Sequence, residues 1–229
     1  MASKQWGEKV WEEKIKYQDE KGVIFGTNSS IKQINKNTKR HISMLKEHFL
    51  TYIKKNGKIL DAGIGPMARF SIEFSKLGYK VTGVDISKTT LKYAKKNIDK
   101  KKLDVKLIRD NLLELKNIKN NEFDMVFCIE TFGHIPSYLS LEVLKNFNKK
   151  LKKGAYCLIE FWIEEEKGFK KLLKDFLYWS LHNIKKKFKK TFHVNCSFYT
   201  HEEILDMVER TGFKFIKKEK KLYLFKKIK

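Results

Sequence analysis

The sequence predicts an α/β protein built on a doubly wound, largely parallel sheet, and three observations carry this prediction. Short apolar segments alternate with segments whose apolar residues recur at helical spacing, a pattern typical of parallel sheets covered by helices. One apolar segment runs directly into a Gly-x-Gly loop at Gly63 and Gly65, and a helical stretch follows. No internal repeat and no linker rich in Pro, Gly or Ser divides the 229 residues, so we expect a single domain over residues 1–229.

The elements of the first half follow from local patterns. Residues 1–35 are polar with scattered aromatic residues and predict a short helix followed by a loop. Apolar residues at helical spacing predict a helix over 38–55, which Asn56-Gly57 ends. In chain order we then expect a strand at 58–61, a helix at 66–77 with a proline near its first turn, a strand at 79–84 and a helix at 87–97.

The second half continues the alternation and then departs from it. Strands are expected at 105–108, 123–129 and 154–161, with a helix at 137–151; the segment 123–129 is nearly all apolar, as in a strand covered on both faces. Residues 162–199 carry no strand pattern and form an insertion that we expect to be helical. Thr200 and Glu203 have the spacing of a capping box, Gly212 ends the helix that they open, and two short apolar segments around a charged turn, 213–217 and 222–225, predict an antiparallel hairpin.

The glycine loop and the acid after the next strand predict a nucleoside-binding site. Gly63, Gly65 and Ala68 fit the fingerprint G-x-G-x-x-G/A, in which glycines let a ligand approach the backbone beside the free N–H groups of a helix. Asp85 lies 20 residues beyond Gly65, where a carboxylate accepts hydrogen bonds from both ribose hydroxyls.

Further polar residues narrow the choice of ligand. Asp61 stands two residues before the first glycine, where an acid suits a ligand with a positively charged amino group and disfavours a pyrophosphate. Asp110 and Asn111 follow the third strand, and their side chains can bind an adenine amino group. A solvated loop would explain each acid alone, but three acids at successive strand ends favour one site.

These motifs together resemble those of the class I S-adenosylmethionine-dependent methyltransferases. The resemblance rests on the segments 60–65, 81–87, 109–111, 123–128, 151–154 and 200–213, and it covers about residues 40–161 and 198–229. It implies the strand order 3-2-1-4-5-7-6 with strand 7 antiparallel, and S-adenosylmethionine as methyl donor. Met67 departs from the pattern, since many members of the family have a third glycine there, and this leaves the path of the loop open.

The resemblance also assigns roles around the donor. Gly63 and Gly65 would approach its methionine part, Asp85 its ribose and Ile86 the face of its adenine. The adenine edge would meet Asp110 and Asn111, and Ile129 would contact the donor after the fourth strand.

The segment that follows the fourth strand supplies the candidates for chemistry. His134 is the best candidate for a general base, because the pKa of histidine lies near neutrality; a structural histidine that caps the next helix is the alternative. Glu130 would hold the methionine end of the donor or orient an acceptor amine. Tyr199 and His193 are weaker candidates, and with two further ligands missing, His193 and Cys196 predict no metal site.

The charge and the insertion suggest partners. The formal net charge is +23, which favours RNA or an anionic membrane surface, and the basic run from Lys185 to Lys190 would contact either one. However, arginine contributes four of the 50 basic residues, and a lysine excess also fits the codon usage of an AT-rich genome. By resemblance, the insertion 162–199 forms part of the acceptor pocket; ordinary packing over the sheet edge is the alternative.

The N-terminal residues and the cysteines carry two further predictions. Residues 1–37 hold Trp6, Trp11 and Tyr17 beside flexible glycines, and we expect them to form a lid over donor and acceptor; a permanently packed helix is the alternative. No stretch approaches the length of a membrane span, no apolar leader opens the chain, and three cysteines without a CxxC motif fit the cytoplasm.

The sequence therefore predicts an S-adenosylmethionine-dependent methyltransferase that acts on oxygen or nitrogen of a small acceptor, with a lipophilic one among the options. An RNA methyltransferase, a protein methyltransferase and a non-catalytic subunit that binds S-adenosylmethionine remain alternatives. The oligomeric state is left open.

Overall fold

Seven strands form one sheet in the order β3-β2-β1-β4-β5-β7-β6. The computed structural model describes residues 7–25, 30–164 and 196–229, with the backbone alone for 17–25. The strands are β1 Lys58–Ala62, β2 Lys80–Asp85, β3 Val105–Arg109, β4 Phe123–Cys128, β5 Leu151–Glu160, β6 Phe213–Glu219 and β7 Leu222–Lys227. The first five are parallel, β7 runs antiparallel to β5, and β6 is antiparallel to β7. The predicted fold class, strand order and direction of the last strand are confirmed.

Helices cover both faces of the sheet. They are α1 Glu8–Phe25, α2 Ile31–His48, α3 Arg69–Lys76, α4 Lys88–Asp99, α5 Ser140–Lys150 and α6 His201–Arg210. Side chains of β4 alternate between two buried clusters: Val126 and Cys128 pack with α5 and α6, while Met125 and Phe127 pack with α2, α3 and α4. A strand covered on both faces explains why this segment of the sequence is nearly all apolar.

The helix boundaries correct several predictions. Helix α2 begins at Ile31 rather than residue 38, because Ser30 caps it by accepting a hydrogen bond from the backbone N–H of Gln33 at 3.1 Å. It ends at His48, and a 3₁₀ turn at Leu50–Tyr52 replaces the predicted last turns. The segment before α2 is also longer than a short helix, since α1 has 18 residues.

The starts of one helix and one strand also differ from the prediction. Pro66 lies in the loop and not in a helical turn, because the chain passes through a left-handed residue, Ala68 (φ +47°), before α3 begins. Strand β5 begins at Leu151 instead of residue 154, and its pairing with β4 shifts register between Phe123 and Met125. The capping box of Thr200 and Glu203 and the hairpin after α6 are confirmed.

The order of the strands reverses on the two sides of β1, which is the point at which open α/β sheets bind ligands, at the carboxyl ends of the strands. Among the described residues, no helix is long and apolar enough to cross a membrane. Most of the predicted insertion, together with Lys185 to Lys190 and His193, lies outside the described residues, as do Trp6 and the side chain of Tyr17.

Candidate active site

A cavity of about 370 Å³ opens at the carboxyl ends of the central strands. Its volume falls within the range of small-molecule sites. Loops after β1, β2, β3 and β4 form its walls. Residues of α1, together with Trp162 after β5, complete these walls. The side chains and loops that line it include Gly63 to Phe70, Asp85, Ile86, Asn111, Ile129 to Thr131, His134, Trp11 and Trp162.

The two loop glycines have different surroundings. Gly63 (φ +84°) lies against Thr131, because a Cβ built on it would stand 2.3 Å from the Thr131 side chain. Gly65 (φ +67°) faces open space, and a Cβ there would meet nothing within 4 Å. Both conformations favour glycine, and Gly65 borders open space in the cavity. Met67 also lines the cavity, so the departure from the motif lies in the wall of the site itself.

Asp85 is held in place by the backbone around it. One carboxylate oxygen accepts a hydrogen bond from the N–H of Gly65 at 3.3 Å, and the other from the N–H of Ser87 at 3.0 Å. Burial raises the pKa of Asp85 to about 6, against these hydrogen bonds, which lower it. Since Asp85 and Ile86 both line the cavity, the structure brings these two predicted residues together.

The other two strand-end acids lie outside the cavity lining. Asp61 is buried and accepts a hydrogen bond from the Ser71 hydroxyl at 2.6 Å, and burial raises its pKa to about 7. Asp110 accepts backbone hydrogen bonds from Asn111 at 2.8 Å and Asn117 at 2.6 Å, which fix the loop after β3. Asn111 itself lines the cavity. The suggested contacts of Asp61 and Asp110 with the donor stay predictions.

An ion pair stands beside the glycine loop. Arg69, the first residue of α3, pairs with Glu130, which follows β4. Glu130 has a left-handed backbone (φ +56°), and its N–H donates to the Glu160 carboxylate at 2.9 Å. Burial raises the pKa of both Glu130 and Glu160, and Arg69 lowers that of each.

His134 lies between two tryptophans at the wall of the cavity. Its ring meets that of Trp11 edge to face at 5.0 Å between centroids, and that of Trp162 at 4.8 Å. Gly133 allows the second contact, since a Cβ there would stand 2.5 Å from the Trp162 ring. The predicted base therefore lies in the site, held by aromatic contacts.

Tyr199 is placed differently. It is buried against Phe132 and Phe161, and its hydroxyl lies 2.6 Å from that of Ser140. It does not line the cavity, so we assign it no part in the chemistry. Within 7–25, 30–164 and 196–229, no cluster of three His, Cys, Asp or Glu side chains could hold a metal ion.

Helix α1 closes one side of the site. Gly7 and Trp11 line the cavity, and Ile15 is buried. The Glu12 carboxylate accepts a hydrogen bond from the N–H of Thr89 at 3.1 Å, at the start of α4, and Glu8 pairs with Arg109. Within the expected lid, residues 1–37, helix α1 therefore lies against one side of the cavity.

Sequence reasoning missed Arg69 and Trp162. A signal for Arg69 was present, because it is one of four arginines among 50 basic residues and directly follows the glycine loop. Trp162 carried no such signal, since its role depends on its contact with Gly133.

Comparison with known proteins decides the family. A family model described as a methyltransferase domain matches residues 34–218, which is most of the chain. The chain belongs to this methyltransferase family. This agrees with the family that the motifs of the sequence resemble, and S-adenosylmethionine is the methyl donor that this resemblance implies.

Individual relatives agree with this family. The "Probable methyltransferase ltbC" of Aspergillus luteorubrus is 32% identical over 125 residues, which cover 51% of this methyltransferase and 44% of that protein. The alignments span about half the length of the curated relatives that the chain matches.

Solved structures share the fold. The PH0226 protein from Pyrococcus horikoshii OT3 has a TM-score of 0.67 at 20% identity, covering 93% of this methyltransferase and 99% of that chain. Magnesium protoporphyrin IX methyltransferase (ChlM) from Synechocystis PCC 6803, solved with bound SAH, has a TM-score of 0.65 at 14% identity, covering 96% and 98%.

The residues of the cavity fit the donor. Gly65 leaves its backbone accessible, and Asp85 holds a carboxylate at the wall. Ile86, Ile129 and Leu112 provide apolar surface for an adenine ring. This methyltransferase therefore has the open backbone, the carboxylate and the apolar walls that a nucleoside with an amino-acid tail requires.

Proposed function

We propose that this methyltransferase transfers the methyl group to oxygen or nitrogen of a small acceptor with a largely apolar body. The observation that supports this most directly is the position of α1, whose Trp11 stands at the cavity wall opposite Trp162 across His134. Helix α1 covers one side of the cavity, and this supports a small acceptor over a folded macromolecule.

The walls beside His134 support an apolar acceptor. Ile135, Val143 and Leu113 line this part of the cavity together with the two tryptophans. Burial of such a surface against an apolar acceptor is favourable, at about 25 cal/mol per Å².

Alignment supplies much of the rate in this reaction. The methyl group of a sulfonium is already activated, so the protein's main task is to hold the attacking atom in line with it. A hydroxyl acceptor also has to lose its proton, and we assign this step to His134, which contributes roughly 10²- to 10⁴-fold where a base is needed. Glu130 is the alternative contact for an acceptor amine.

The alternative functions would give experimental results that differ from those of a small-molecule methyltransferase. Lys185 to Lys190, which would contact RNA, lie outside the described residues. An RNA acceptor would bind with an affinity that falls steeply with salt. A non-catalytic subunit would bind the donor and transfer nothing.

Labelled methyl donor separates these possibilities. The protein is incubated with it and with three fractions of a cell extract: small molecules, total RNA and total protein. We expect label in the small-molecule fraction with wild type and none with Asp85→Ala, which weakens donor binding. Label in RNA or protein alone would contradict the proposal, and no label in any fraction while the donor still binds would favour the non-catalytic subunit.

A further inference from the structure

Lys14 carries a positive charge beside the part of the cavity that the proposed function gives to the acceptor. It lies on α1, and its Nζ stands 4.7 Å from the centroid of the Trp11 ring. Trp11 lines the cavity and Lys14 does not, so the ammonium group lies next to the cavity wall. The Lys14 side chain is partly exposed, which leaves it accessible to a ligand.

A second contact places Lys14 near the segment that carries His134. Cys196 lies close enough to Lys14 for each residue to shift the pKa of the other. The next residue, Ser197, donates its backbone N–H to the Gly133 carbonyl at 2.7 Å, and His134 directly follows Gly133. The Lys14 ammonium group therefore belongs to the same side of the cavity as His134.

No acid within the part of the chain that the structure describes pairs with Lys14. Two acids of its own helix are engaged elsewhere: Glu8 pairs with Arg109, and the Glu12 carboxylate accepts a hydrogen bond from the N–H of Thr89. Lys14 thus differs from a lysine held in a surface ion pair, because its charge remains available.

Partial burial makes this available charge costly. Burial lowers the pKa of Lys14, since removal from water disfavours the ammonium form. Burial also raises the pKa of the Cys196 thiol, so Cys196 stays protonated near neutral pH and offers no negative charge. The Trp11 ring compensates part of the cost through a cation–π contact, and a ligand with a negative charge would compensate more.

We propose that Lys14 binds an anionic group of the acceptor, a carboxylate or a phosphate, while the apolar body of the same molecule packs on Trp11 and Trp162. This inference rests on the proposed function, because it takes the His134 side of the cavity as the acceptor site. It narrows the class of acceptor from a small apolar molecule to an amphiphilic acid.

Three probes with one ring system test this class of ligand: 2-naphthoate, 2-naphthyl phosphate and the neutral 2-naphthamide. Calorimetry gives their affinities for the protein saturated with SAH. We expect at least one of the two acids to bind wild type about 5- to 20-fold more tightly than the amide, between the values for an exposed ion pair and for a hydrogen bond to a charged group. The acid that binds more tightly identifies the anionic group.

Variants of Lys14 assign this preference to one side chain. Lys14→Met keeps most of the apolar stem and removes the charge, so it abolishes the preference for the acid and leaves the affinity for the amide unchanged. Lys14→Arg keeps the charge and the preference. Lys14→Gln takes the place of Lys14→Met if that variant does not fold.

Lys16→Met is the matched control, because Lys16 lies on the same helix with an exposed side chain. It removes the same charge and leaves all three affinities unchanged. Equal affinities of the acids and the amide, a preference that survives Lys14→Met, or an equal loss in Lys16→Met would overturn the proposal. Binding of none of the probes would contradict the apolar acceptor of the proposed function, and the role of Lys14 with it.

Methyl transfer separates this proposal from the proposed function. Anion exchange divides the labelled small-molecule fraction of the extract into acidic molecules and neutral or basic ones. We expect the label among the acidic molecules. Label among the neutral or basic molecules alone would overturn the role of Lys14 and leave the proposed function standing, whereas label in RNA or protein alone would contradict the proposed function.

Discussion

Gly63 and Gly65 stand in the same loop, yet their neighbours give them separate roles. A Cβ on Gly63 would overlap Thr131, whereas a Cβ on Gly65 would meet nothing within 4 Å. The first glycine therefore permits packing of the protein on itself, and the second leaves open space in the cavity where we expect the donor to bind.

This difference predicts different effects of two alanine variants on stability and on SAH binding. Gly65→Ala costs about 1–2 kcal/mol of unfolding free energy for its left-handed backbone and abolishes most SAH binding. Gly63→Ala costs a further ~1–3 kcal/mol, because the methyl group overpacks against Thr131. Urea unfolding and SAH titration measure both effects, and wild-type SAH affinity in Gly65→Ala would show that the donor does not approach this loop.

Asp85 predicts how donor binding depends on pH. The resemblance implies that its carboxylate form accepts hydrogen bonds from the ribose hydroxyls, and burial raises its pKa to about 6, with Glu12 contributing in the same direction. The affinity for SAH should therefore hold above this pKa and fall by up to about tenfold per pH unit below it. Asp85→Asn, which cannot titrate, should bind weakly with no such inflection; an inflection retained in the variant would assign it to another group.

At the scale of elements, α1 is the segment whose behaviour decides how the site closes. Its described contacts with the domain are partly polar: Glu12 on Thr89, Glu8 on Arg109, and Trp11 on His134. Polar contacts of this kind can break and re-form without disrupting the core of the domain.

We propose that α1 is a lid that tightens when the donor binds. Hydrogen exchange of residues 8–16 should slow on addition of SAH, because closure buries Trp11 against the ligand and excludes water. Exchange in α6, none of whose residues line the cavity, provides the internal reference. Equal protection of α1 with and without SAH would show a permanently packed helix.

At the scale of the whole molecule, the sequence predicted the sheet better than the helix ends. The buried strands were visible in the sequence as apolar runs, and the order of the strands was implied by the resemblance to the family. The start of α2 was missed because the stretch from Ile31 to Asn37 is mostly polar. Serine is nevertheless a common N-cap residue, and Ser30 directly precedes this stretch. The start of α3 depends on the left-handed backbone of Ala68, and an alanine in the sequence does not indicate that conformation.

Site residues that belong to short sequence motifs were predictable, whereas contacts between segments that are distant in the sequence were not. Gly63, Gly65, Asp85 and His134 belong to short motifs and lie in the cavity. The Arg69–Glu130 pair joins residues 61 positions apart, and the tryptophans around His134 come from two other segments, so their contacts arise from the fold. The same holds for Asp61, whose burial on Ser71 no spacing rule shows.

The central claim is that this cavity binds S-adenosylmethionine, and calorimetric titration with SAH tests it most directly, with NAD as the competing nucleotide. We expect one equivalent of SAH to bind wild type, Asp85→Ala to lose about 1.5–3 kcal/mol of that binding free energy, and NAD to give no heat of binding. Binding of NAD by a protein that does not bind SAH would contradict the account.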